Sequence, residues 1–285
     1  MPTRDLVKSI AVPQSKSPKM KKMAEGVTVY AIGTGHVTGT GHQFSEAEVV
    51  AALKERLPAI LWDEAGKADI GDALAGVAST HFESDRIAEA LGRDREVEDW
   101  QVGEAIAEAY LIDHHDCEFP WPSSRDVRNP NASPTGADLV GFQKHDETLR
   151  FAFGEVKTSG EKKYPPHAVF GRSGLQKQLE QLRDSKQVKD HLVLRYLALR
   201  AQKSAWYDKF VTATKRYLAN DTDVSLFGVM VRDVEPHKDD LSGRTSALSK
   251  ACPKSTTIGL RAFYLPDKSI STLATQASSH RKKKP

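Results

Sequence analysis

The sequence predicts an α/β domain with a mixed central β-sheet flanked by helices. Short apolar runs at 149–156, 224–231 and 256–265 have strand length, β-branched or aromatic content and turn residues at their ends. Leu175, Leu179 and Leu182 recur at helical spacing, and several other stretches do the same. Strand and helix patterns are interspersed along the chain, which is the order of an α/β fold.

Residues 1–25 carry Ser, Pro and Lys without periodicity and are expected to be mobile. A strand is expected over 27–32. Gly33, Gly35, Gly39 and Gly41 follow as a hairpin or loop; no Gly-Lys-Ser/Thr succeeds them, which argues against a phosphate-binding loop. Residues 44–57 read as a helix started by Ser45 with Glu48 three positions on. A helix with interruptions is expected over 70–87 and an unbroken one over 99–112. Pro120, Pro122, Pro130 and Pro134 make 119–135 a long loop, ordered or gated by substrate. The run Gly-Ala-Asp-Leu-Val-Gly-Phe at 136–142 reads as a short buried strand entering a turn, with 149–156 as its hairpin partner. Helices follow over 175–183 and 190–218, the second with Trp206, Phe210 and Tyr217 as core anchors. Strands at 224–231 and 256–265 close the order, and no internal repeat is evident.

Bulk properties narrow the class. The chain has 285 residues, enough for one large domain or two small ones. Its 39% hydrophobic and 28% charged content excludes a disordered chain. No apolar run approaches the roughly 18 residues that span a bilayer. The basic N-terminus lacks a following apolar segment, so a secretory signal is not expected. Two cysteines, Cys117 and Cys252, point to a reducing compartment, and a cytoplasmic location is expected.

The chemistry is concentrated at Asp138 and in Phe-Gly-Glu-Val-Lys-Thr at 153–158. Side chains alternate faces along a strand, so Glu155 and Lys157 project to the same side. With Asp138 on the neighbouring strand they form a pocket for Mg2+ and a phosphate: hard oxygen ligands beside an ammonium that steadies water and developing charge. The plainer alternative is that Asp138 caps a turn and Glu155 and Lys157 make an ordinary surface ion pair. Asp113, His114, His115, Asp116 and Cys117 suggest zinc, but no second ligand pair completes four. No Gly-x-Ser-x-Gly elbow supports serine hydrolysis.

These motifs resemble the PD-(D/E)XK nuclease superfamily, over roughly residues 98–185. Asp138 matches the first acid, Glu155 the second and Lys157 the lysine; Ala137 stands where the family name implies proline, at a position without chemistry. The resemblance implies a restriction-endonuclease-like core and a further metal-site glutamate at Glu104, with Glu108 one turn away as an alternative. It also implies a site glutamine at Gln178, with Gln176 and Gln181 as alternatives. Glu104, Asp138, Glu155 and the Val156 carbonyl would hold Mg2+, or Mn2+ in its place. The wording of Gly-Glu-Ala-Ile-Ala-Glu, the Pro- and Asn-rich loop and the two strand motifs is more narrowly similar to the HamA-like nuclease subunit of Hachiman-type antiphage defence. That likeness implies cleavage of DNA under control of a helicase partner. A sequence-specific restriction endonuclease and a catalytically silent DNA-binding module remain the alternatives.

A net charge of +3 conceals a division. Residues 43–118 hold 19 acids against 6 Lys and Arg, while 172–216 hold 11 basic residues against 4 acids. Lys162, Lys163, Arg172, Lys177, Arg183 and Lys186 are therefore expected to track a phosphate backbone, the alternative being a solvated helix face. The expected organisation is a flexible basic segment (1–25), an acidic α/β region that either docks a protein partner or repels DNA from the wrong surface (26–98), the nuclease core (99–275) and a flexible basic tail (276–285).

Overall fold

The computed structural model describes residues 21–92, 94, 96–126 and 136–282. Among them seven strands pair: β1 (Val27–Thr34), β2 (Val37–Gln43), β3 (Cys117–Glu118), β4 (Leu139–His145), β5 (Thr148–Ser159), β6 (Ser225–Arg232) and β7 (Thr257–Tyr264). They form one mixed sheet in the order β1-β2-β7-β6-β5-β4-β3. The centre is parallel, from β2 through β7 and β6 to β5, and antiparallel hairpins flank it on both sides. The fold is therefore α/β, as expected. Every residue of β6 is buried, which is why it reads as a continuous apolar run instead of an alternating one.

Helices cover both faces. The helix Asp99–His114 packs on one face with Phe44, Val156, Phe227, Phe263 and Ala277 in a single cluster. The other face carries the helices Leu175–Asp184, Tyr207–Ala219 and Ser242–Ser249 over Phe151, Phe153, Leu226 and Leu260. Among the described residues no helix is long and apolar enough to cross a membrane.

Several expectations change at this level. Ser45 and Glu48 do form a reciprocal capping box, but the α-helix runs only Glu46–Ala51 before a π-helical turn over Ala52–Arg56. The interrupted helix is two helices, Glu64–Ala75 and His81–Gly92. The long helix expected over 190–218 breaks after Ala201, where Lys203 adopts φ 61°, and resumes at Tyr207. Of the hairpin or loop expected at the glycines, the structure forms the hairpin: β1 turns into β2 at Gly35, and Gly39 and Gly41 lie inside β2, where a Cβ at Gly41 would meet the Tyr30 ring at 2.5 Å. Close hairpin approach thus takes the place of side chains in a strand whose glycines disguise it.

The chain ends are less free than expected. The Met23 side chain is buried, and its N–H donates to Asp113 at 2.8 Å. The expected mobile tail instead contains most of the helix Leu273–Lys282, with Ala277 buried and Arg281 bound to Asp94 and Glu64. The expected boundary near residue 98 is crossed by the sheet, because β1 and β2 join it through β7. The remainder of the N-terminal segment, residues 127–135 of the proline loop and the last three residues lie outside the described residues.

Glycine at 103 sets the spacing of the Asp99–His114 helix from β5. An added Cβ there would stand 2.1 Å from the Thr158 hydroxyl. Gly103→Ala is expected to lower unfolding stability by about 1–3 kcal/mol through overpacking. Thr158→Ala in the same chain should recover most of that loss, as urea denaturation of the single and double variants would show.

Candidate active site

β4 and β5 separate where the candidate residues lie. Their last pair at this end is Leu139 with Gly154. β5 then continues through Ser159 with β6 alongside, Glu155 opposite Gly228 and Ser159 opposite Arg232. At the point of separation the Asp138 carboxylate accepts the Val156 N–H at 2.7 Å, a bond that a neighbouring strand would otherwise make. The N–H and C=O of a strand residue point to the same side, so the Val156 carbonyl faces this opened edge as well.

Glu155 and Lys157 lie on one side of β5, as alternation requires. The Lys157 ammonium donates to Glu155 Oε1 at 2.5 Å. The Glu155 side chain is 1% exposed and that of Lys157 22%, so this is a buried pair and not a solvated strand-end pair. Glu155 Oε2 is buried without a hydrogen-bond partner. Asp138 comes within hydrogen-bonding reach of the Glu155 carboxyl, placing two acceptors against each other. Burial, and then the charge of Asp138, raise the Glu155 pKa well above the ordinary carboxylate range. Burial raises Asp138 too, against the Val156 N–H and Lys157, which favour its charged form.

Glu104 joins these acids from the helix on the opposite face. Its pKa is pushed up to about 8 by burial, then by the charges of Asp138 and Glu155, with Lys157 opposing. Glu108 is also raised, to about 7 by burial, but its charged neighbours are Arg56 and Asp63. Of the two glutamates, Glu104 shares the field of the site. Gly103 makes this reach short by letting the helix close on Thr158.

Gln178 approaches from the helix Leu175–Asp184. Leu175 and Leu179 of this helix lie over Gly228, the residue opposite Glu155, where a Cβ would meet Leu179 at 2.6 Å. Gln178 Oε1 is buried and has no hydrogen-bond partner, whereas Gln176 donates to Glu180. Sequence reasoning passed over Gly228, although a glycine inside a buried apolar strand is itself a sign of close approach. It also passed over Arg232. That buried guanidinium donates to the carbonyls of Ser159, Glu161 and Lys163 and clamps the segment leaving the site.

The expected phosphate contacts divide by environment. Lys162 and Arg172 are exposed and make no ion pair among the described residues. Lys163 is exposed beside His167, Lys177 lies 3.6 Å from Glu180, and Lys186 is 2.9 Å from Asp221. Arg183 is turned inward: it donates to the carbonyls of Leu248 and Lys250 and to Asp184, so it serves as a tie between helices. The zinc-like cluster is likewise absorbed by the fold, with Asp113 bound to Arg56 and His114 to the Met23 carbonyl.

Among the described residues no three His, Cys, Asp or Glu side chains are gathered as a metal cage. The donors nonetheless suit a hard cation. Mg2+ is commonly held by one or two carboxylates with water and substrate oxygens completing the shell. Here two acids within reach of each other, an unsatisfied Glu155 oxygen, a carbonyl on the open edge and a third half-buried acid supply such a set. Compared with known proteins, the chain matches no family model and no curated sequence.

The raised acids give a pH signature. Glu104 ionises near its ordinary value of 4.5 in the unfolded chain and near 8 in the fold. Between these values the folded state holds more protons, so stability falls as pH rises through the window. In EDTA, Glu104→Gln should be nearly neutral below about pH 4.5 and increasingly stabilising toward pH 8. Thermal denaturation at a series of pH values checks this; a constant difference from wild type would contradict it.

Proposed function

We propose that this chain is a metal-dependent DNA nuclease of the PD-(D/E)XK kind, acting in antiphage defence under the control of a helicase partner. The observation that carries the reading is the constellation of half-buried Asp138, buried Glu155 and half-buried Lys157 where β4 and β5 part. Asp138, Glu155 and the Val156 carbonyl would hold Mg2+, with Glu104 beside them. When bound, the ion would polarise the scissile phosphate and lower the pKa of a water molecule.

The remaining work belongs to this chain's side chains. Lys157 donates to Glu155 Oε1; its ammonium, released from that contact, would hold the attacking water and offset charge on the phosphate oxygens. Gln178, with its unsatisfied Oε1 at the same face, would position the nucleophile. Lys162, Lys163, Arg172, Lys177 and Lys186 offer exposed cations after the site for the flanking backbone. Arg183 makes no such contribution. Two free cysteines, Cys117 and Cys252, suit a reducing cytoplasm. An unrestrained DNA nuclease endangers its host, so partner control is physically sensible, and the acidic region 26–98 is the surface for it. This narrower reading rests on the likeness to Hachiman-type nucleases.

Cleavage of supercoiled plasmid with Mg2+ or Mn2+, beside an EDTA control, tests the reading. Glu155→Ala and Lys157→Ala should each lower the rate by at least about a hundredfold while leaving the fold and most DNA affinity intact. Lys157→Arg should also fail, because a broad planar guanidinium does not replace a compact ammonium. Full activity in both alanine variants would overturn the mechanism. Cutting that begins only when a helicase partner is added would support partner control. A discrete fragment pattern would indicate a sequence-specific restriction endonuclease instead.

A further inference from the structure

Arg244 is an arginine without a partner. It lies on the helix Ser242–Ser249, where its Nε and Nη1 are buried and make no hydrogen bond. No ion pair among the described residues includes it, and burial alone depresses its pKa. Arg56 is satisfied by Asp113, Arg232 by Asp240 and three carbonyls, and Arg183 by Asp184 and two carbonyls; Arg150 also leaves its Nε unpartnered but binds Ser255, Thr257 and Asp223 through its other nitrogens. Leaving a guanidinium partly desolvated and unpaired costs stability unless something else supplies the anion.

What the guanidinium does touch is an aromatic ring. Its Cζ stands 5.1 Å from the Phe170 ring centre, while Phe170 remains 49% exposed. Phe170 is displayed on a rigid corner. Gly171 holds φ 80°, and a Cβ at Gly174 would lie 2.2 Å from the Phe170 carbonyl oxygen, so both positions require glycine. Val169 beside it is anchored in the core. An exposed aromatic on a fixed turn, backed by an unsatisfied guanidinium, is a poor solution for a surface with no ligand.

The corner leads directly to the site. Gly174 starts the helix Leu175–Asp184 without a side-chain cap, leaving its first N–H groups open. Gln178 follows one turn later, about 6 Å along the axis. Arg183 contacts Leu248 near the far end of the Ser242–Ser249 helix, and Phe170 meets Arg244 near its start. The two helices therefore run side by side in the same direction, with Arg244 at the N-terminal end of the helix that bears Gln178.

We propose that Phe170 and Arg244 form a single-strand subsite beside the active site, Phe170 stacking an unpaired base and Arg244 receiving an adjacent backbone phosphate. Arg172, exposed on the same corner, adds charge to it. Stacking on an aromatic face tolerates any base, and a guanidinium reads phosphate without reading sequence. The subsite thus selects unpaired strand over duplex, which deepens the nuclease reading and rests on it for the choice of ligand.

Fluorescence anisotropy with a labelled single-stranded oligonucleotide and its duplex, in EDTA over a salt series, tests this without requiring cleavage. Arg244→Ala should weaken single-strand binding about tenfold and reduce the salt slope by about 0.7, the share of one phosphate contact. Arg244→Lys should restore the slope. Phe170→Leu should weaken single-strand binding at least about fivefold and duplex binding much less. Thermal stability of Arg244→Ala should equal or exceed wild type, since no hydrogen bond is lost. A stability loss with an unchanged salt slope would make Arg244 structural and overturn the subsite, as would a wild-type chain with no affinity for either oligonucleotide. Equal losses for both oligonucleotides would overturn the single-strand preference. If the wild type binds as described but never cuts with Mg2+ and its partner, the catalytic reading falls and the subsite stands. Cutting by a wild type whose binding ignores both substitutions would show the reverse.

Discussion

The site depends on two paired strands parting before either has ended. As long as β4 runs beside β5, backbone groups satisfy one another and the edge is closed to solvent and substrate. Beyond the pair of Leu139 and Gly154 the edge opens, and a buried N–H left without a partner would be costly there. Asp138 meets that cost by taking the Val156 N–H on its carboxylate. The same act commits an acid to the opened edge. Glu155 and Lys157, next along β5, then face a gap in the sheet with β6 securing them from the other side.

Asp138 and Glu155 meet at that gap and Glu104 lies within their field, so their charges act on one another. Burial and mutual charge hold Glu155 and Glu104 protonated to unusually high pH, and Lys157 offsets only part of the strain. Shared protons relieve that repulsion, which is why the pKa values rise. Glu155 Oε2 and Gln178 Oε1 are each buried without a hydrogen-bond partner.

Close approach is what lets residues distant in sequence share this gap. Gly103 draws the Glu104 helix onto Thr158, and Gly228 draws the Gln178 helix onto the sheet opposite Glu155. Arg232 then fixes the outgoing segment by three carbonyls, and Arg183 locks the Gln178 helix to its neighbour. The acidic N-terminal region is bound into the same sheet through β2 and β7. Its helix His81–Gly92 buries none of its residues, and Phe82 is exposed.

Local pattern determined a good deal. The alternation of strands and helices, the capping box of Ser45 and Glu48, the hairpin of β4 and β5, and the shared side of Glu155 and Lys157 all follow from interactions within a few residues. Those are the ranges over which periodicity and capping act. The strand β2 escaped because glycines stand where apolar side chains would mark it, and its partners lie on Tyr30 and β7. The basic residue Arg183 looked like its neighbours on a charged stretch until packing turned it inward. Arg281 belonged to a basic tail until Asp94 and Glu64 were brought beside it. Glu104 and Glu108 are indistinguishable one turn apart; only the seating of their helix on β5 gives one the site acids and the other Arg56. The sequence by itself determined which residues could do the chemistry, and tertiary structure decided which of them meet, because burial and charge fields are set by contacts between segments that no local period encodes.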